Sequence, residues 1–207
     1  MSLIEYKGFG GVPLAADVLG DDNDPAVLLI PDVDQPRSAW RAVAEALVLS
    51  GRRVVNLDLR APGGVDQLAA HVEDLRLVLA QMGSRPVVVA ARHGGWIATR
   101  ALANDGILLA GGLVLVDMPD DADAVAEGIA ARQALPTLVV RGGFAAAQSR
   151  TATDAFAAAL PIGEQADIDD SDLALDTDRT EALLGQLLEF LERRQPREAT
   201  EFQAGSD

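Results

Sequence analysis

The sequence predicts an α/β fold: a mostly parallel, twisted sheet of about 7–8 strands with helices on both faces. Three observations carry that expectation. Apolar runs such as Val27-Leu28-Leu29-Ile30 and Val87-Val88-Val89-Ala90 contain no polar residue, as strands buried on both faces require. Segments with helical spacing separate these runs, so successive strands are joined by crossovers rather than tight hairpins. Finally, 207 residues suit one domain that buries about 70% of its unfolded surface.

The elements follow in order. Residues 1–20 alternate and carry Gly8, Gly10, Gly11 and Gly20, which predicts an antiparallel hairpin on the sheet's edge. Val27 to Ile30 is the first parallel strand, stopped by Pro31-Asp32. Residues 37–49 have helical spacing at Trp40, Val43, Ala44 and Leu47, and Gly51 ends them. Residues 53–59 form the second strand. A helix over 66–82 follows, with Leu68, Val72, Leu75, Leu77, Val78 and Leu79 as its buried stripe and Gly83 as its stop. Residues 87–90 form the third parallel strand, and 97–103 are helical. Residues 112–117 and 137–140 form the fourth and fifth. Helices over 152–160 and 180–194 bracket a weaker strand near Ala166-Asp167-Ile168. One domain is expected over residues 1–194, followed by a polar tail over 195–207 that frays.

Composition narrows the function. Hydrophobic residues make up 49% and charged residues 24%, an ordinary balance for a soluble globular protein. The net charge of −15 and a pI near 4.4 repel nucleic acid and anionic membranes, so neither is an expected partner. The 17 basic residues are scattered, and Lys7 is the only lysine. With no cysteine, disulfides, thiolate catalysis and cysteine metal sites are excluded. The stretch Met1 to Lys7 lacks a basic region leading into an apolar one, so no signal peptide is expected. No uncharged apolar run approaches the length of a membrane span, and a cytoplasmic protein is the expectation.

One turn concentrates the functional question. Val87 to Ala91 is a β-branched apolar run that breaks at Arg92-His93-Gly94-Gly95 and enters a helical segment. This is the strand–turn–helix setting of a nucleophile elbow, G-x-S-x-G. In register, Ala90 and Gly94 occupy the two glycine positions, and Arg92 stands where the serine belongs. A guanidinium stays protonated and has no lone pair with which to attack a carbonyl.

The ordered segments resemble the α/β-hydrolase family from end to end, excluding the tail. Leu28-Leu29-Ile30-Pro31-Asp32 stands where that family has a strand ending in His-Gly, and Trp40 matches a tryptophan often found shortly after it. Gly51-Arg52-Arg53-Val54-Val55-Asn56-Leu57-Asp58-Leu59-Arg60 is similar to a G-x-x-V-x-x-x-D-x-R segment, with Ala61 in place of the usual glycine. Leu135 to Gly143 is similar to the strand preceding the triad acid, and Leu187-Leu188-Glu189-Phe190-Leu191 to the closing helix. The resemblance implies a serine, an acid and a histidine in that chain order. Arg92 stands at the serine position, Phe144-Ala145-Ala146-Ala147 supplies no acid, and the only histidines, His71 and His93, lie far from the C-terminal region. The family's oxyanion hole would draw on the amides of His93 and of Val33, with Asp32 beside them in place of a glycine. A cap domain is also missing, because only residues 118–136 separate two strands, enough for one short helix over 122–132.

Several residues remain candidates for a site. Arg92 either anchors a ligand anion at the following helix N-terminus or fills the site and pairs with Asp32 or Asp117. His93 is a candidate base beside Asp32, Asp34 or Asp58, while His71 is expected mid-helix, facing solvent or half-packed. Two histidines are too few for an ordinary zinc site, so no metal and no cofactor are expected. The acidic runs 120–123 and 167–178 lack the spacing of a calcium loop and read as solvated helix caps. Gly8 to Gly11 and Arg141-Gly142-Gly143 do not form a nucleotide-binding glycine loop. Ser38 and Ser149 read as helix caps.

The leading expectation is therefore a catalytically degenerate α/β-hydrolase without triad or cap, binding a small molecule or a protein at its old mouth. The alternatives are a cofactor-free lyase or cyclase using His93 or Asp32 as base, and a hydrolase whose nucleophile is another serine such as Ser38. The residues fix neither the ligand nor the oligomeric state.

Overall fold

The structure, a computed structural model, describes residues 1–61, 67–119, 128–142, 147–168 and 180–195. Eight strands form one sheet: β1 (Ser2–Lys7), β2 (Pro13–Leu19), β3 (Ala26–Ile30), β4 (Arg53–Leu57), β5 (Val87–Ala91), β6 (Gly112–Val116), β7 (Thr137–Gly142) and β8 (Gly163–Ile168). Their spatial order is β1-β2-β4-β3-β5-β6-β7-β8. The β1–β2 hairpin is antiparallel and pairs antiparallel with β4, whereas every pair from β4 to β8 is parallel. From β3 the chain crosses to β4 on one side and then returns to β5 on the other. The sheet order therefore reverses between β3 and β5, and the crevice at such a switch point is where open α/β sheets bind ligands.

Alternation along the central strands divides the core into two layers. Leu28, Ile30, Val88 and Ala90 face α2 (Gln67–Met82), α3 (Arg92–Leu102) and α5 (Ala147–Ala159) through Leu75, Val78, Leu79, Ile97 and Phe156. Val27, Leu29, Val87 and Val89 face α1 (Arg41–Leu49) and α6 (Thr180–Arg194) through Val43, Leu47, Leu187 and Phe190. A one-turn helix, α4 (Gly106–Leu109), leads into β6.

Four local differences from the sequence expectation have physical causes. Residues 37–40 form a 3-10 turn before α1, where the Arg37 N–H donates to Asp58 and the Arg37 carbonyl, the acceptor an α-helix starting there would use, accepts Asn56 Nδ2 at 2.9 Å. The helix at the elbow starts at Arg92, not near residue 97, directly after β5. In α2 the buried face runs through His71, Asp74, Leu75, Val78 and Leu79, while Leu68 and Leu77 are exposed. Leu75, Val78 and Leu79 set the phase, and residues one turn earlier on that face are a histidine and an aspartate. His71 is thus buried rather than facing solvent. Gln195, expected at the start of the tail, is held by its own N–H to the Leu191 carbonyl (2.7 Å) and by Arg52 Nη1 to its carbonyl (2.7 Å). The helix over 122–132, the acidic run 120–123, residues 169–178 and the tail from 196 lie wholly or largely outside the described residues.

Candidate functional site

The C-terminal ends of three neighbouring strands bring the candidates together. Pro31-Asp32 follows β3, Arg92-His93 opens α3 directly after β5, and Asp117 follows β6. Arg92 (φ 50°) and Asp117 (φ 51°) are the only non-glycine residues with positive φ among the described residues. Such left-handed backbone costs about 1 kcal/mol or more for an ordinary side chain and concentrates at functional turns. Gly94 explains how tightly the turn is drawn in. A Cβ there would stand 2.2 Å from the Pro31 carbonyl oxygen, so only glycine lets α3 approach the β3 loop this closely.

Asp32 is the centre of the arrangement. Its side chain is only 6% exposed, and a buried carboxylate requires donors. Oδ1 accepts the Val33 N–H at 2.8 Å and the His93 N–H at 3.2 Å, and lies 3.1 Å from His93 Nδ1. Oδ2 accepts Arg92 Nε at 2.8 Å. Arg92 then reaches Asp117 Oδ2 with Nη1 at 3.4 Å. Because Arg92 is half exposed, that longer contact contributes less than about 1 kcal/mol, whereas the Asp32 contact is anchored in a buried carboxylate. All five predicted site residues, Asp32, Val33, Arg92, His93 and Asp117, therefore meet at one turn.

Other candidates are placed elsewhere. Asp58, considered as a partner for His93, holds Arg37 through both backbone N–H and guanidinium, and Arg37 Nε also pairs with Asp17 at 2.9 Å. Ser38 is exposed inside the 3-10 turn and caps no helix with its side chain. The side chain of Ser149 lies outside the described residues. His71 sits on α2, away from the turn, beside a second ion cluster. There Asp74 accepts the Phe9 N–H (2.7 Å) and both Arg60 Nε (2.5 Å) and Nη2 (2.6 Å). A Cβ on Gly8 would stand 2.5 Å from Asp74 Oδ1, so glycine lets the hairpin loop approach this carboxylate. Burial lowers the His71 pKa and Arg60 adds to the effect, while Asp74 opposes both. No local spacing signals this cluster, because Phe9 and Asp74 are 65 residues apart. Among the described residues, no group of three or more His, Asp or Glu side chains is placed to hold a metal ion, and no helix is long and apolar enough to cross a membrane. The guanidinium of Arg92 stands between the carboxylates of Asp32 and Asp117.

No family model and no curated protein matches the chain. Solved structures do. A thermophilic esterase from Thermogutta terrifontis is 19% identical over 93% of this chain and 99% of its own, with a TM-score of 0.77. The esterase RhEst1 from a Rhodococcus species is 16% identical over 94% and 100%, with a TM-score of 0.79. The epoxide hydrolase VrEH1 from Vigna radiata is 13% identical over 93% and 98%, with a TM-score of 0.76. At these identities the likeness is one of fold. The chain has an eight-stranded, mostly parallel sheet of the α/β-hydrolase type.

Proposed function

We propose that this chain, built on the α/β-hydrolase fold, is a non-catalytic member that has lost the Ser-Asp-His triad and binds a small molecule or a protein at the switch-point crevice. The observation that carries the reading is the ion cluster at the turn. Arg92 holds the strained backbone position at the top of β5, and its guanidinium is paired with Asp32 and Asp117. A paired, protonated guanidinium is not a nucleophile. In subtilisin, removing the nucleophile or the base of the triad lowers turnover about 10⁶-fold. A turn that keeps its strain without a hydroxyl is better explained by recognition than by hydrolysis. No cofactor, nucleic acid or membrane enters this reading, and a cytoplasmic setting suits it.

The test is turnover of short-acyl p-nitrophenyl esters by the purified full chain. Hydrolysis at the buffer rate is expected. Saturable hydrolysis that depends on a serine overturns the proposal.

One observation favours a second reading, an enzyme. The His93 imidazole lies against the buried Asp32 carboxylate at 3.1 Å, the pairing that orients a general base. Cofactor-free lyase or cyclase chemistry, or hydrolysis through an unrecognised nucleophile, would use that dyad. It requires His93→Ala to abolish a measurable turnover, while the binding reading requires no turnover to abolish.

A further inference from the structure

A single ion pair holds the Gly8–Gly11 loop of the N-terminal hairpin against α2. Asp74, its side chain 4% exposed, accepts the Phe9 N–H and two guanidinium nitrogens of Arg60. Arg60 Nη2 donates in turn to the Phe9 carbonyl at 3.0 Å, so both backbone groups of Phe9 depend on this pair. The loop lies at the C-terminal edge of the parallel strands, the edge that carries Asp32, Arg92 and Asp117. There the Asp58 N–H, just past β4, donates to the Ala15 carbonyl of β2, and Arg60 follows two residues later.

Beside this latch sits a buried titratable group with an unmet polar atom. His71 is one turn before Asp74 on the same face of α2 and is 6% exposed, and its Nε2 has no hydrogen-bond partner among the described residues. A neutral imidazole leaves one nitrogen undemanding, whereas an imidazolium donates from both and needs acceptors. Asp74 and Arg60 are the charged side chains that act on His71. Those on the elements packed around it are engaged or exposed. Glu73 pairs with Arg76 on α2, and Arg100 of α3 lies over the Trp96 ring. His93 of α3 meets Asp32. On β1, Glu5 and Lys7 are exposed, and the Tyr6 phenol is buried, which raises its pKa further from neutrality. The 3-10 turn at Phe9–Gly11 and α4 carry no charge.

We infer that His71 is the acid trigger of this latch: once protonated, it competes with Arg60 and the Phe9 N–H for the Asp74 carboxylate, and the Gly8–Gly11 loop leaves α2 while the parallel sheet stays folded. The direction follows from where the proton binds better. Burial above all, with Arg60 adding to it, lowers the His71 pKa in the closed latch, and an open latch returns the ring to water. The closed form is therefore favoured above the ordinary value of about 6.5 and loses ground as pH falls through the lowered one, by at most about tenfold per pH unit. The device works the same way whether the crevice at this edge binds or catalyses.

The experiment is amide hydrogen exchange of the full chain by NMR between about pH 7.5 and 5, each rate divided by the intrinsic rate at that pH. It compares the natural chain with His71→Gln and His71→Leu, the second serving if the first does not fold. In the natural chain the Phe9 amide is expected to lose protection by up to about tenfold per pH unit below about 6.5, while the amides of β3 and β5 keep theirs. Either His71 variant is expected to hold Phe9 protection level across the range. A level profile in the natural chain overturns the inference, as does a fall that persists in a folded His71 variant. Loss of protection in β3 and β5 in parallel with Phe9 overturns it too, because the sheet then opens with the loop. A Phe9 amide unprotected at every pH in both variants leaves His71 a packing role alone, which also overturns it.

Discussion

Replacing Gly94 by alanine tests the closeness of α3 to the β3 loop, on which the whole turn depends. The added Cβ would lie 2.2 Å from the Pro31 carbonyl oxygen, 3.2 Å from the Pro31 carbonyl carbon and 3.2 Å from Ile30 Cγ2. Ordinary contact distances require the helix to retreat by roughly 1 Å. The obstacle is backbone, so no rotamer change relieves it. That retreat stretches the 3.2 Å bond from the His93 N–H to Asp32 beyond hydrogen-bonding reach. Overpacking costs about 1–3 kcal/mol, and losing a hydrogen bond to a charged group costs about 1.5–3 more. For a chain of this length each kcal/mol lowers Tm by roughly 2–4 °C, so a fall of about 10 °C is expected. Gly95→Ala is the internal control. Its Cβ meets Met118 Sδ at 2.2 Å, the end of a side chain that can move aside. Both variants gain the same helix propensity, about 1 kcal/mol, which cancels in the comparison. Thermal unfolding by circular dichroism decides: Gly94→Ala should melt well below Gly95→Ala. Equal melting temperatures would refute the claim that the turn is locked against the Pro31 backbone.

Two further predictions concern the cluster under the N-terminal hairpin. Burial lowers the His71 pKa in the folded chain, so the unfolded chain binds the proton more readily near its ordinary value of about 6.5. The stability this imidazole contributes is complete above that value and is lost as pH falls through the lowered folded one. His71→Leu should therefore flatten urea-unfolding stability between roughly pH 7 and 5, by at most about 1.4 kcal/mol per pH unit; an unchanged slope assigns the acid sensitivity elsewhere. Arg60→Ala leaves the Asp74 carboxylate, 4% exposed, with the Phe9 N–H but without its guanidinium. A loss on the order of 3 kcal/mol is expected in denaturant unfolding, and a loss below about 1 kcal/mol contradicts the pairing.

The fold is legible in the sequence because buried parallel strands must be apolar without interruption, and β3, β5 and β6 are each buried along their whole length. The C-terminal helix, expected over 180–194, occupies those residues. β8 is visible only as a weak strand, since an edge strand exposes alternate residues and carries Glu164, Gln165 and Asp167. The turn's five residues are legible because Asp32, Arg92 and Asp117 each follow an apolar strand, and strand ends in a parallel sheet share one edge. The partner of the His93 ring is not: Asp32, Asp34 and Asp58 are equal in sequence. Only the spatial order of strands sets Asp32 beside His93 and turns Asp58 toward Arg37. The phase of α2 departs from expectation because, in the sequence, leucines at 68 and 77 outweigh a histidine and an aspartate. In the structure the ion cluster with Arg60 and the packing of Leu75, Val78 and Leu79 decide which face is inward.

Intact-mass spectrometry of the full chain after prolonged exposure to a serine-directed fluorophosphonate addresses the chemistry of the turn most directly. If Arg92, held by Asp32 and Asp117, has replaced the reactive hydroxyl, the mass stays unchanged. A stoichiometric phosphonyl adduct mapped to one serine, forming in step with the loss of ester turnover, would contradict it.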